Sequence, residues 1–504
     1  MADPASADIA EPPDLLTVED LRKDAKYKRY VQAIEKTLQS FDAVNEWADV
    51  IGFLTKLAKI FAAHPRYSIV PRKLVVSKRL AQCLNPALPA GVHQKTLEVY
   101  SLIFEAAGSA QLAEDLPLWS YGLFPFLQNA AMSVKPGVLQ LYERFYIPLG
   151  LRLKPSLKGL ILALLPSLEE EGNEFFDRVL GALDQLANGV GQGYFYHCMW
   201  LCLITVPHLR HATVNYLVRR MPQVSTAEGL DDSGGVRGLQ DIRSLSLLER
   251  GMLGSCPFIR FLPSFSALPR LKDVAVILGN DTNLLARALS CTLEDKAALV
   301  QRGVLELLVQ HFPIKNNLFK GAHMEAVVRS AVCVVLRKDM SLNRRLYAWL
   351  LGAADVKALP PTYKAVLVAS MREWKAHAID LSETTKPYKV MISLLDKAEI
   401  GQPVLDEIFV DIIWSLKGKC ESSPHAAELI QTANMFLEML DSFMIWKQIY
   451  HVIENNALDS CENMQAYEML EFFLRRFKWT DEETQRVHLP YLFELMTKQL
   501  DVRI

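Results

Sequence analysis

Three short stretches of this sequence hold residue types that can do chemistry. DDSGG, Asp231–Gly235, differs by one residue from the GDSGG around the nucleophile of trypsin-type hydrolases. That motif needs a β-barrel, whose backbone forms the oxyanion hole and brings a histidine base to the serine. Here Ser233 lies in MPQVSTAEGLDDSGGVRG, Met221–Gly238, a stretch rich in Gly, Ser and acid with little to bury. GVGQG, Gly189–Gly193, carries glycines that suit a phosphate loop, but it matches neither GxGxxG nor GxxxxGKS/T and no strand precedes it. It reads as a helix end and turn. HCMWLC brings His197, Cys198 and Cys202 together, and His208 and His211 follow, so zinc ligands can be imagined. Their neighbours are aromatic and aliphatic, without a CxxC hairpin, and core packing is the better reading. The acidic runs Glu169–Glu171 and Asp231–Asp232 read as solvated surface. No catalytic residue, metal or cofactor is expected.

Basic clusters are more informative. RYSIVPRKLVVSKRLAQCL holds Arg66, Arg72, Lys73, Lys78 and Arg79 with no acid among them. Arg72 and Arg79, seven apart, share one face of a helix begun by Pro71. Further on, DMSLNRRLYAWLLG places Arg344 and Arg345 in an amphipathic helix, shortly after Arg337 and Lys338. Leu342, Leu346, Trp349 and Leu350 form its apolar arc, Ser341 is placed to cap it and Gly352 to end it. Such clusters suit acidic protein segments or anionic lipid headgroups. Equally, arginines tie adjacent helices of a repeat array through forked pairing with carboxylates.

The elements that must position these residues are helices. Half of the 504 residues are apolar and only 24 are glycine, so most of the chain can bury a core. Lys plus Arg is 55 against 57 Asp plus Glu, a net charge of −2 that excludes a general nucleic-acid binder. The eight cysteines are scattered, most of them in apolar helical sequence, as reduced core thiols would be. The longest strongly apolar run, Tyr194–Val206, spans 13 residues. That is short of the ~20 a spanning helix requires. The expectation is a soluble protein, or one held at a membrane surface by contacts alone. The start, MADPASADIAEPPD, lacks the features of a secretory or transit signal.

Apolar residues recur at the helical period nearly everywhere. The segments are Trp47–Phe61 behind an Asn45 cap, Pro71–Leu84, Gly91–Ala107, Pro136–Tyr146, Asn173–Asn188, Gln192–Thr205 and His208–Arg220. After a gap they resume with Asn283–His311, broken near Thr292, then His323–Arg337, Ser341–Leu351, Thr362–His377 and others as far as Leu500. Helices of this length with short connections bury their stripes by stacking in pairs. The fold class expected is therefore all-α, an α-solenoid of degenerate HEAT- or armadillo-like repeats. The domain reading is a disordered tail at 1–16, a helical-repeat segment at 17–220, a linker at 221–240 and a second helical-repeat segment at 241–504 that continues the same solenoid.

Several blocks, in order, resemble the N-terminal region of the Dopey family: YKRYVQAIEKTLQSFDAVNEWADVIGFLTKLAK, RYSIVPRKLVVSKRLAQCLNPALPAGVHQKTLEVYSLIF, SYGLFPFL and DMSLNRRLYAWLLG. They cover Tyr27 to about Gly352, and YKVMISLLDKAEIG matches more loosely. The resemblance implies a large cytosolic scaffold without enzymatic activity, working at Golgi and endosomal membranes. It implies as partners a large protein related to the Arf guanine-nucleotide exchange factors, an aminophospholipid flippase and kinesin light chain. Family members are several times longer, so a fragment is implied, and the helical ending QLDVRI agrees with that. Binding of anionic phospholipid through the first basic patch is the alternative reading, and pairing of two copies through an apolar ridge is left open.

Overall fold

A computed structural model describes residues 23–41, 46–222, 281–314, 319, 321–352, 359–373, 381–422, 425–455 and 462–501. The tail at 1–16, the Asn45 cap, most of the linker at 221–240 with Ser233, Cys256 and Cys461 lie outside these residues. Among the described residues every regular element is helical. The chain divides into two compact units, Met1–Met199 and Trp200–Ile504.

The first unit runs through α1 (Ala25–Ser40), α2 (Trp47–Ala63), α3 (Lys73–Cys83), α4 (Ala90–Glu114), α5 (Leu116–Asn129) and α6 (Lys135–Leu141). A π-helical turn, Tyr142–Tyr146, and a 3-10 segment, Ile147–Ser156, lead to α7 (Leu157–Leu164) and α8 (Phe176–Val190). Helix α9 (Gln192–Thr205) crosses the boundary between the units. Four of these packings join a helix to the one two places along: α2 on α4, α3 on α5, α4 on α6 and α5 on α7. Two parallel layers result. Between them lie Tyr100, Phe104, Trp119, Tyr142 and Tyr146, all buried, with Trp119 edge-on to Phe104 at 6.2 Å.

Helix α5 is absent from the sequence expectation because Pro117 and Pro125 interrupt it. Pro117 sits in the first turn, where its missing N–H is harmless, and Pro125 removes one helical hydrogen bond. The buried ladder Leu116, Trp119, Leu123, Phe126 and Leu127 outweighs that loss. Helix α3 also starts later than expected. Arg72 adopts a left-handed conformation, φ +51°, so Pro71 closes a turn and the helix begins at Lys73.

Helices α3 and α5 approach closely at Gly122. A methyl there would lie 2.7 Å from the Ala81 Cβ and 2.9 Å from its Cα. Gly122→Ala is expected to push the two helices apart and to destabilise the first unit by about 2 kcal/mol. A urea midpoint measured with tryptophan fluorescence checks this, and an unchanged midpoint would refute the contact.

The second unit contains α10 (Arg210–Arg220), α11 (Thr282–Leu293), α12 (Ala298–His311), α13 (Ala322–Val332), α14 (Met340–Leu351), α15 (Pro361–Glu373), α16 (Leu381–Leu395) and α17 (Ala398–Ser422). It ends with α18 (Ala426–Leu437), α19 (Ser442–Asn455), α20 (Glu462–Arg476) and α21 (Leu489–Asp501). The same ladder recurs: α10, α12 and α14 stack in one layer, α11, α13, α15 and α17 in the other. The break expected near Thr292 is the turn between α11 and α12. Helix α14 buries Leu342, Leu346, Trp349 and Leu350, as its spacing requires, and Gly352 ends it in the left-handed region at φ +73°. Its cap is Asp339 rather than Ser341; the carboxylate accepts from the Ser341 and Leu342 amides at 2.8 and 3.1 Å. An ionised acceptor satisfies both orphan amides at once, which one hydroxyl does not.

Long-range side-chain bonds in both units join residues 35 to 42 apart: Glu143 with Arg178, Glu35 with Arg72, Phe312 with Trp349, Ser77 with Leu118 and Asp295 with Arg337. That offset matches the helix-pair period of about 40 in HEAT and armadillo arrays. The all-α helical-repeat fold expected from the sequence is the fold observed.

Candidate interaction surfaces

Two of the imagined zinc ligands are core side chains, and the glycine stretch is a helix end. Cys198 and Cys202 are buried in α9, and burial pushes the Cys198 thiol up to about 11, far from a reactive thiolate. No group of three His, Cys, Asp or Glu side chains among the described residues is placed to hold a metal. Gly191, with φ +96°, ends α8 within GVGQG. No helix among the described residues is long and apolar enough to cross a membrane.

The first basic cluster is largely engaged with its own fold. Arg66 pairs with Asp24 at 2.5 Å and lies over the Tyr67 ring. The Tyr67 hydroxyl, the Lys26 amide and Arg66 together hold the Asp24 carboxyl below its usual value. Arg72 reaches Glu35 on α1 at 2.7 Å, and Lys73 reaches Asp115 at 2.6 Å. Arg79 lies over the Phe41 ring at 4.6 Å and donates to Gln82. Lys78 is exposed and makes no ion pair among the described residues. It projects beside Leu74 and Val75, which are also exposed.

In the second cluster, Arg337 donates to the carbonyls of Asp295 and Lys296 and so fastens the α11–α12 turn. Arg345 donates to Ser341 and lies 3.8 Å from Glu306 on α12, while Arg344 is exposed. The same turn holds a stronger tie that sequence reading missed. Arg210 bridges Asp295 at 2.7 Å and donates to the Leu203 carbonyl at 2.8 Å. Burial alone raises the Asp295 pKa, but the Ala297 amide, Arg210 and Arg337 bring it below the usual carboxylate value.

Two open clefts lie in the second unit. One, of about 770 Å³, is lined by Glu325, Pro361, Lys364, Val368, Arg372 and Glu407 from α13, α15 and α17. The other, of about 540 Å³, lies between α17 and α19 and is lined by Asp406, Glu407, Phe443, Lys447, His451 and Glu454. Glu407 borders both. Lys364 holds it at 2.8 Å and keeps its carboxyl below the usual value, and Arg372 pairs with Asp411 at 2.7 Å. Apolar lining from Pro361, Ala365 and Val368 among alternating charges suits an extended or helical segment of protein. No local signal announces these clefts, because their walls come from helices about 40 residues apart in sequence.

A family model described as "Dopey, N-terminal" matches residues 24–355, and one described as "DOP1 middle TPR domain" matches residues 364–501. Protein DOP1B of Mus musculus is 34% identical over 486 residues, covering 85% of this chain and 19% of the mouse protein. The DOP1 homolog of Drosophila melanogaster is 31% identical over 544 residues, covering 97% of this chain and 19% of the fly protein. Protein DOP1 of Saccharomyces cerevisiae is 28% identical over 518 residues, covering 95% of this chain and 29% of the yeast protein. The chain thus spans 19% to 29% of the length of these relatives. No solved structure matches it.

Proposed function

The chain belongs to the Dopey family, and from that premise we propose that it is a non-enzymatic scaffold segment for Golgi–endosome membrane trafficking, working on the cytosolic face of those membranes. Its working part is the surface of the helical ladder. The pair of clefts sharing Glu407 carries this reading, since they offer side chains from four helices to one elongated protein ligand. Such a surface recognises shape and charge pattern and does no bond chemistry. The large partner related to the Arf exchange factors and kinesin light chain are the ligands to test first, with an aminophospholipid flippase next.

Purified partner captured on the immobilised chain tests the proposal. The intact chain is expected to retain at least one of these proteins. Glu407→Lys is expected to weaken retention about tenfold, because it reverses the charge common to both clefts. Arg344→Glu with Arg345→Glu probes the second basic cluster in the same assay. A folded chain that binds none of the three removes the proposal, and equal retention by Glu407→Lys removes the clefts from it.

A further inference from the structure

The cleft between α17 and α19 has one wall made by a single helical face. Phe443, Lys447, His451 and Glu454 of α19 all line it, and their spacing stacks them on the same side of the helix. The other side of α19 is fixed from behind. Trp446, Ile449 and Ile453 are buried there. The Trp446 indole donates to the Thr484 hydroxyl at 2.8 Å, and the Tyr450 hydroxyl donates to the His488 carbonyl at 3.0 Å. Asp441 accepts from the Phe443 amide at 2.8 Å and so sets the first turn. A wall held in this way needs little ordering when a partner docks, which favours binding.

Charge in the cleft is uneven. Its acids are Asp406, Glu407 and Glu454, against Lys447 and the His451 imidazole. Lys364 already engages Glu407. Asp406 and Glu454 are exposed, and neither makes an ion pair among the described residues. Asp406 accepts a long hydrogen bond from the Gln402 side chain at 3.4 Å. Beside these carboxylates the Phe443 side chain is 62% exposed. From Phe443 to Glu454 the α19 face runs about 16 Å, or about three helical turns.

We propose that the occupant of this cleft is a basic amphipathic helix of a partner protein. Its lysines or arginines reach Asp406 and Glu454, and an apolar side chain covers Phe443. The inference rests on the reading of the clefts as protein-binding surfaces and names the chemistry they select. Charge complementarity selects a cation, because two open carboxylates repel an acidic segment or a phosphate. The exposed Phe443 ring selects an apolar neighbour, since contact removes both surfaces from water. Shape selects a helix over a strand. No sheet edge among the described residues can pair with an extended backbone, whereas a recess between two helices receives the ridge of a third.

Fluorescence polarisation with labelled peptides of about four helical turns tests this on the whole 504-residue chain. One probe is built of leucine and lysine in a helical pattern, a second of leucine and glutamate in the same pattern. A third has the composition of the first in an order that gives no apolar face. Only the first is expected to bind, and to weaken about tenfold or more between low and high salt. Asp406→Lys with Glu454→Lys is expected to weaken it about tenfold or more, and Phe443→Ser severalfold, with circular dichroism unchanged. Glu169→Lys with Glu170→Lys, the same reversal on exposed acids of the first unit, is expected to leave it unaltered. No binding of the leucine–lysine peptide by the folded chain overturns the proposal, as does equal binding of either other peptide or an equal loss with the Glu169 and Glu170 variant. Capture of a partner protein that falls with Glu407→Lys but not with Asp406→Lys and Glu454→Lys keeps the clefts as the binding surface and overturns the basic helix as their occupant.

Discussion

Trp349→Ala is expected to destabilise the second unit by about 4 kcal/mol, the largest effect of any single substitution considered. Trp349 is 2% exposed on α14, and its indole N–H donates to the Phe312 carbonyl at the end of α12 at 2.9 Å. The Phe312 ring in turn meets Trp200 edge-on at 6.4 Å. Truncation therefore opens a large cavity and leaves a buried carbonyl without its donor. Trp349→Phe separates the two contributions. It keeps most of the volume and loses the hydrogen bond, for an expected 1–2 kcal/mol. Both are read as shifts of the urea midpoint, and a loss under 1 kcal/mol for the alanine variant would show that α14 does not close this core.

Arg210→Ala is expected to cost about 3 kcal/mol. Only 13% of each of the Arg210 and Asp295 side chains is exposed, so removing the cation strands a carboxylate largely away from water. The surface pair Arg372–Asp411, about half exposed, is by contrast expected to contribute less than 1 kcal/mol. The buried pair also carries a pH signature. The folded Asp295 pKa lies below its unfolded value of about 3.9, so the pair stabilises fully above that value. Its contribution fades as pH falls through the lower folded pKa. The stability gap between the intact chain and Asp295→Asn should accordingly be constant from pH 7 to about 5 and shrink below about 4. A gap that widens in acid would reverse the assignment.

How far the sequence reaches is clearest at α14. The spacing of Leu342, Leu346, Trp349 and Leu350 announces a buried stripe, and all four are buried. The capping residue was misplaced by two positions because both Asp339 and Ser341 are good caps, and only backbone geometry decides between them. Helix α5 was not legible because proline vetoes a helix locally, while Trp119 and Leu123 restore it through contacts with other helices. The basic clusters were legible as clusters, but not the partners that engage most of them. Arg72 and Lys73 are adjacent in sequence, yet one pairs with Glu35 before it and the other with Asp115 after it.

By itself the sequence determined that the described periodic segments of this protein are helical, that its helices must cover one another in pairs, and which family it resembles. Each of these depends on a period of three or four residues, or on runs of identity, and both are read directly along the chain. Tertiary structure alone decided which charges are tied and which face solvent, and where clefts open. Those outcomes depend on contacts some 40 residues away, whose register is set by how side chains interlock between helices, a property that no local window contains.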